Sequence, residues 1–264
     1  MQEEERQCND SSGFGKITVV GTGPGGTNHL SPAALNAIKT SGVIIGYSTY
    51  LKHVNNILRE DQEKLPFSMK DEIARCETAI AKAMEGKGVC LASGGDAGIY
   101  GMSGLLLEIM EKKSLVGKLP VEFIPGIPAF CAAACAVGGP IMNDFCVISL
   151  SNLLTPWEEI KKRLKLASEG DFVIILYNPK SKKRKDELTM AKELLLENID
   201  KDRPAAIVKA ASRPDEEVVI TTLERIDAFD IISMNTTIII GNKTTFVKDL
   251  FMITKRGYDN KYVL

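Results

Sequence analysis

Along this chain the apolar positions take two alternating forms: short unbroken runs rich in β-branched residues, and longer stretches where they recur every three or four residues. The first form suits strands buried on both faces, the second amphipathic helices. KITVVGTG is a strand that ends in glycines. SPAALNAIKTSG follows with full helix punctuation: Ser31 as N-cap, Pro32 at the first helical position and Gly42 past the end. GVIIGY is the next strand. KDEIARCETAIAKAMEG sets Ile73, Ile80 and Met84 at helical spacing and stops at Gly86. The strand GVCLAS, a glycine-rich loop, the helix SGLLLEIMEKK and the strand VEFI continue the alternation, which requires a mainly parallel sheet. The small-residue helix AFCAAACAVGG closes this first set.

A second set begins near Pro140. FCVISLS is a strand, and TPWEEIKKRLKLASEG opens with a capping box from Thr155 to Glu158 around Pro156. The strand DFVIILYNP stops at Pro179, and KDELTMAKELLLEN is an amphipathic helix. AAIVKA, EVVITTL and TTIIIGN then arrive with little helix between them, so the second sheet is mixed. The predicted fold class is α/β, with two α/β domains at 16–139 and 140–264 behind a frayed polar tail, 1–15. The crevice between two such domains is the default place for a ligand.

Composition narrows the function classes. With 264 residues, 44% apolar and 25% charged, the chain has the make-up of a globular protein. A net charge of −1 offers no global attraction to nucleic acid or an anionic membrane. The longest strictly apolar run, Ala129 to Val137, falls far short of the roughly 20 residues that span a bilayer. MQEEERQCNDSSGFG lacks the apolar core of a signal peptide. The six cysteines, Cys8, Cys76, Cys90, Cys131, Cys135 and Cys146, have no CxxC spacing. Cys131 and Cys135 share a helical face, but no histidine or third cysteine completes a metal set, so both read as small buried core residues. No metal site is expected, and thiols in apolar segments point to a reducing cytoplasm.

The candidate chemistry lies in the loops. Gly21-Thr22-Gly23-Pro24-Gly25-Gly26 formally matches G-x-G-x-x-G behind a strand. A dinucleotide needs a helix opening at the third glycine, and here the helix waits until Ser31 or Pro32. The second strand ends Gly46-Tyr47-Ser48, without an acid for a ribose hydroxyl, so a dinucleotide-dependent oxidoreductase ranks behind the plainer reading, a tight glycine turn that lets strand and helix pack. A triphosphate loop is excluded because no lysine follows the glycines. Four loops follow strand-like segments: 21–26, 94–101, PGIP at 125–128 and YNP at 177–179. In an open parallel sheet the carboxyl ends of the strands line the ligand crevice, and backbone without Cβ atoms can close on a small polar cofactor.

VVGTGPGGTNHLSPAALNAI, GGDAGIYG and PGIPAF together resemble the tetrapyrrole methylases, S-adenosylmethionine-dependent enzymes of cobalamin and siroheme synthesis. GYSTYL, PIMNDFCVISLSNLLTPWEEI, LYNPKSKKRKDEL and TTIIIGN are similar to the ring-contracting members, which methylate C-17 of precorrin-3B or cobalt-factor III. Whether the macrocycle already holds cobalt is left open, as is another precorrin or uroporphyrinogen methyltransferase of the family. The resemblance implies a bi-lobed molecule, usually a homodimer, with cofactor between the lobes. Carried over position by position, it puts S-adenosylmethionine (released as S-adenosylhomocysteine) against Pro24, Gly94, Gly95, Asp96, Ile99, Pro128, Ala129, Tyr177, Asn178 and Ala211. Ala97 stands where relatives usually have proline, Asn143 where they often have histidine and Ser48 where they tend to have lysine. Ring contraction needs proton movement, for which Asp144, Tyr100 and His29 are the candidates. The acid-rich macrocycle needs cations, and Lys180, Arg184 and Arg213 follow strand ends; Lys182, Lys183 and Lys185 read equally well as solvated.

Overall fold

The computed structural model describes residues 13–263. The chain divides into two compact units, Met1–Pro128 and Ala129–Leu264. Most of the expected tail lies outside the described residues, as does Cys8. Its last residues do not fray: Phe14 packs on the first core, and Gly15 N donates to Ala83 O at 2.7 Å.

The first unit runs β1 (Ile17–Gly21), α1 (Pro32–Thr40), β2 (Val43–Tyr47), α2 (Ser48–Val54), β3 (Glu63–Phe67), α3 (Glu72–Met84), β4 (Val89–Ser93), α4 (Met102–Lys112) and β5 (Val121–Ile124). Its sheet has the order β3-β2-β4-β1-β5, every pairing parallel. Successive side chains feed opposite faces, as the pleat requires. Ile17, Val19, Val43, Ile45, Val89 and Leu91 pack under α3 and α4, while Val20, Ile44, Cys90 and Ala92 pack under α1 and α2. That is why these strands read as unbroken apolar runs. Ser31 caps α1 as expected, its Oγ accepting from Ala34 N at 3.1 Å. β3, carried by EKLPF, is a half-buried edge strand that tolerates Pro66; its mixed pattern hid it in the sequence.

α3 departs from its predicted face. Ile80 is buried, but Ile73 and Met84 are 61% and 47% exposed. The buried stripe is Arg75, Cys76, Ala79, Ile80 and Ala83, where small residues let the helix approach the sheet. Burial pushes the Cys76 thiol up to about 12 and the Cys90 thiol likewise to about 12.

The second unit runs α5 (Ala129–Val137), β6 (Gly138–Gly139), β7 (Phe145–Ser149), α6 (Trp157–Glu169), β8 (Val173–Tyr177), α7 (Glu187–Leu196), β9 (Pro204–Lys209), β10 (Glu217–Thr222), β11 (Thr236–Ile240), β12 (Thr245–Lys248) and β13 (Phe251–Thr254). Its main sheet has the order β10-β9-β11-β8-β7. β7 and β8 are parallel and the other pairings antiparallel, so the sheet is mixed as predicted. The hairpin β12–β13 joins β6 in a small third sheet.

Three expectations change here. The helix expected to close the first domain belongs to the second unit, which moves the division from 139/140 to 128/129. Phe130, Ala133, Ala134 and Val137 of α5 share a core with Val173, Ile175, Val208 and Ile239. That same stripe turns the cysteines outward: Cys131 is half-buried and Cys135 exposed. The Thr155–Glu158 capping box does not form, because Pro156 is itself the N-cap of α6.

Candidate functional site

Because every strand of the first sheet is parallel, the loops after β1, β4 and β5 emerge on one edge. Gly23 and Gly95 exchange backbone hydrogen bonds of 3.0 and 2.8 Å, tying the first loop to the second. Asp96 ties the second to the third: Oδ1 accepts from Gly98 N at 2.8 Å, and Oδ2 accepts from Gly126 N at 2.9 Å. The Asx turn and the bridge thus use both carboxylate oxygens. Backbone meets backbone closely here. A Cβ on Gly126 would lie 2.2 Å from Gly95 O, and one on Gly94 would lie 2.6 Å from the Tyr50 ring. Part of the glycine content is therefore explained by the protein packing on itself.

Pro24 is buried, while Gly94, Gly95, Asp96 and Pro128 are half-buried. Ala97 is buried in the first core, and Gly98 to Tyr100 after it are exposed. Ile99 and Tyr100 are 37% and 61% exposed, and Tyr100 has a φ of 51°, a left-handed conformation uncommon outside glycine and costly for a ring-bearing residue. His29 ends the 3-10 turn Thr27–His29, its Nδ1 2.8 Å from Gly25 O. A carbonyl only accepts, so Nδ1 carries a proton there, which in the neutral ring leaves Nε2 as the acceptor. His29 also lines a recess of about 260 Å³ with Ser31, Pro125, Gly126 and Ile127.

In the second sheet β7, β8 and β9 run the same way, so Ser149, Tyr177, Asn178 and 210–212 share an edge. Tyr177 Oη accepts from Phe130 N at 2.8 Å, holding the first turn of α5, which begins at Ala129. Asn178 Nδ2 donates to Ser149 Oγ at 2.9 Å. Asn178, Ala210 and Ser212 all have left-handed φ, at 54°, 51° and 62°. Ala211, buried between the last two, is held by Ala210 N donating to Asn235 O and Ser212 N donating to Glu216 Oε2. Strain of this kind gathers where a structure uses it. Ser149, Glu216 and the strained pair at 210 and 212 escaped the sequence reading, since no composition marks alanine or serine for that conformation.

Asp144 stands apart from this edge. It precedes β7, is exposed, and its carbonyl pairs with Val173 N at the start of β8, so it lies at the opposite end of that sheet from Tyr177 and Asn178. Lys180 is half-buried and Arg184 buried, while Lys182, Lys183 and Lys185 are exposed. Arg213 N donates to Ala210 O, which sets it at the tip of β9. Among the described residues no helix is long and apolar enough to cross a membrane.

The family model for tetrapyrrole (corrin/porphyrin) methylases matches residues 16–227. The chain belongs to that family. Within it, this methylase is 44% identical over 242 residues to a probable cobalt-factor III C(17)-methyltransferase of Salmonella typhimurium, covering 92% of this chain and 99% of that one. It is 43% identical over 252 residues to the cobalt-factor III methyltransferase of Priestia megaterium, covering 95% of this chain but 46% of that protein, so it spans about half the relative's length. Among solved structures, the methyltransferase CobJ superposes with a TM-score of 0.86 at 33% identity, over 91% of this chain and 100% of that one. A uroporphyrin-III C-methyl transferase from Thermus thermophilus, solved complexed with S-adenyl homocysteine, shares the fold at TM-score 0.64 and 21% identity, over 86% and 92%. Family membership removes the oxidoreductase reading, in line with α1 beginning at Pro32 rather than at Gly26.

Proposed function

We propose that this methylase transfers a methyl group from S-adenosylmethionine to C-17 of a cobalt-factor III or precorrin-3B macrocycle, with contraction of the ring, in cobalamin biosynthesis. The observation that carries this reading is the near full-length match, at 44% identity, to the Salmonella protein. The strand-tip loops fit the cofactor's needs. The polar side chains of Asp96, Tyr177 and Asn178 are already engaged within the protein, by Gly98 N and Gly126 N, by Phe130 N and by Ser149 Oγ, which leaves main chain to meet a ligand. Pro24, Gly94, Gly95, Asp96, Ile99 and Pro128 of the first unit, and Ala129, Tyr177, Asn178 and Ala211 of the second, are the proposed cofactor contacts. Exposed Ile99 supplies apolar surface suited to an adenine ring.

The cofactor, when bound, brings a methyl group already activated on a sulfonium. The chain's task is positional. Holding donor and acceptor carbons about 3–3.5 Å apart and in line is worth on the order of 7–11 kcal/mol in favourable cases. No serine or cysteine nucleophile is needed. Of the candidate proton carriers, His29 and Tyr100 lie in the loops after β1 and β4, and with His29 Nδ1 engaged by Gly25 O, Nε2 is the nitrogen that would exchange a proton. Lys180, Arg184 and Arg213 are the proposed substrate contacts. On the same reading the enzyme is a cytoplasmic homodimer. The decisive assay incubates the protein with cobalt-factor III or precorrin-3B and methyl-labelled cofactor, then locates the label by mass spectrometry and NMR. Label at C-17 of a contracted ring is the expected result; label elsewhere, or none, overturns the assignment.

A further inference from the structure

Arg184 is 6% exposed, and its Nη1 is buried with no hydrogen-bond partner. Its Nε reaches Ser181 Oγ at 3.4 Å, and its backbone amide donates to the same oxygen at 3.1 Å. Ser181 N donates back to Arg184 O at 2.9 Å, so 181–184 is a closed turn that fixes where the side chain starts. Among the described residues no carboxylate lies within ion-pair distance of this guanidinium. Arginine keeps its charge at any working pH, and a buried charge without a counter-charge is destabilising. A methionine would fill the same space without that cost.

The turn lies at the strand-tip edge of the second sheet. It follows the tip of β8 directly, where Tyr177 and Asn178 stand. Asn152, in the loop after β7, donates to Glu187 at the start of α7 at 3.3 Å, which draws the loops after β7 and β8 together. Lys182, Lys183 and Lys185 surround the turn with exposed positive charge. We propose that Arg184 is the receptor for a carboxylate of the tetrapyrrole, and that ligand binding supplies the counter-charge the fold withholds. The inference rests on the methyltransferase reading above. Two ligands of that reaction carry a carboxylate, the macrocycle and the amino-acid end of the cofactor. The lysine rim favours the polyanion, since a zwitterion gains little from it. A planar guanidinium also matches a carboxylate by two parallel bonds.

The test compares wild type, Arg184→Met and Arg184→Lys for binding of uroporphyrin III by fluorescence titration, S-adenosylhomocysteine by calorimetry, and thermal midpoint without ligand. Arg184→Met is expected to weaken uroporphyrin binding about 10- to 100-fold, leave S-adenosylhomocysteine affinity unchanged, and hold or raise the midpoint by about 2–4 °C. Arg184→Lys, a point charge without the fork, should fall between. Wild-type uroporphyrin affinity in Arg184→Met overturns the inference and leaves the methyltransferase reading standing. Loss of S-adenosylhomocysteine binding instead assigns the carboxylate to the cofactor and overturns it too. A markedly lowered midpoint, or failure of Arg184→Met to fold while Arg184→Lys binds normally, makes the residue structural. Failure of wild type to bind uroporphyrin while it binds S-adenosylhomocysteine sinks the substrate reading and this inference together.

Discussion

Asp96 commits both carboxylate oxygens to backbone amides on two loops, Gly98 in its own and Gly126 in the next. A carboxylate accepts at both ends, whereas asparagine accepts at one and presents N–H groups at the other. Asp96→Asn therefore leaves one of the two amides without an acceptor, at about 1–3 kcal/mol. The thermal midpoint should fall and S-adenosylhomocysteine affinity should drop about tenfold, read by calorimetry on the folded variant. Unchanged values for both would mean that the carboxylate is not the clasp between these loops. The motif GGDAGIYG made Asp96 visible in the sequence; its partner Gly126 lies thirty positions away and only the fold supplies it.

Helix α3 tests which stripe of an element is buried. Ile80→Ala should cost about 2–5 kcal/mol by denaturant unfolding, while Ile73→Ser and Met84→Ser should each stay within about 0.5 kcal/mol. Equal costs at all three would restore the face that spacing alone predicts. Periodicity failed there because alanine and cysteine at 76, 79 and 83 carry a weak apolar signal, yet they face the sheet. A second element-level test concerns α7, which is tied to Asp227 through Lys192 at 2.8 Å and Thr189 at 2.9 Å. Burial raises the Asp227 carboxyl, but the ammonium and the hydroxyl outweigh it, so the group sits below its ordinary range. A depressed carboxylate stabilises the fold above its unfolded pKa of about 3.9, and that contribution disappears as pH falls through the folded value. Asp227→Asn should lower the midpoint at pH 7 by about 2–4 °C and narrow its gap from wild type below about pH 4. A gap that widens in acid would reverse the sign assigned to this pair.

For the molecule as a whole, the assignment of α5 decides where the chain divides. A fragment 129–264 keeps Phe130, Ala133, Ala134 and Val137 over Val173, Ile175, Val208 and Ile239, whereas 140–264 bares that face. The longer fragment should show a cooperative thermal transition by circular dichroism and the shorter one a broadened or absent transition; equal transitions would return the boundary to 139/140. The sequence by itself determined the α/β class, the parallel and mixed sheets, the loops at the strand tips and the family. Those properties are written locally, in runs of β-branched residues, caps and glycine motifs, which act through neighbours along the chain. Only the tertiary structure decided that α5 sits on the second core, that Cys135 faces outward, that Asp144 lies at the far edge of its sheet from Tyr177, and that Arg184 is buried without a counter-charge. Each of these depends on which distant residues come to share a face, and a choice between two faces of equal length leaves no mark in local composition.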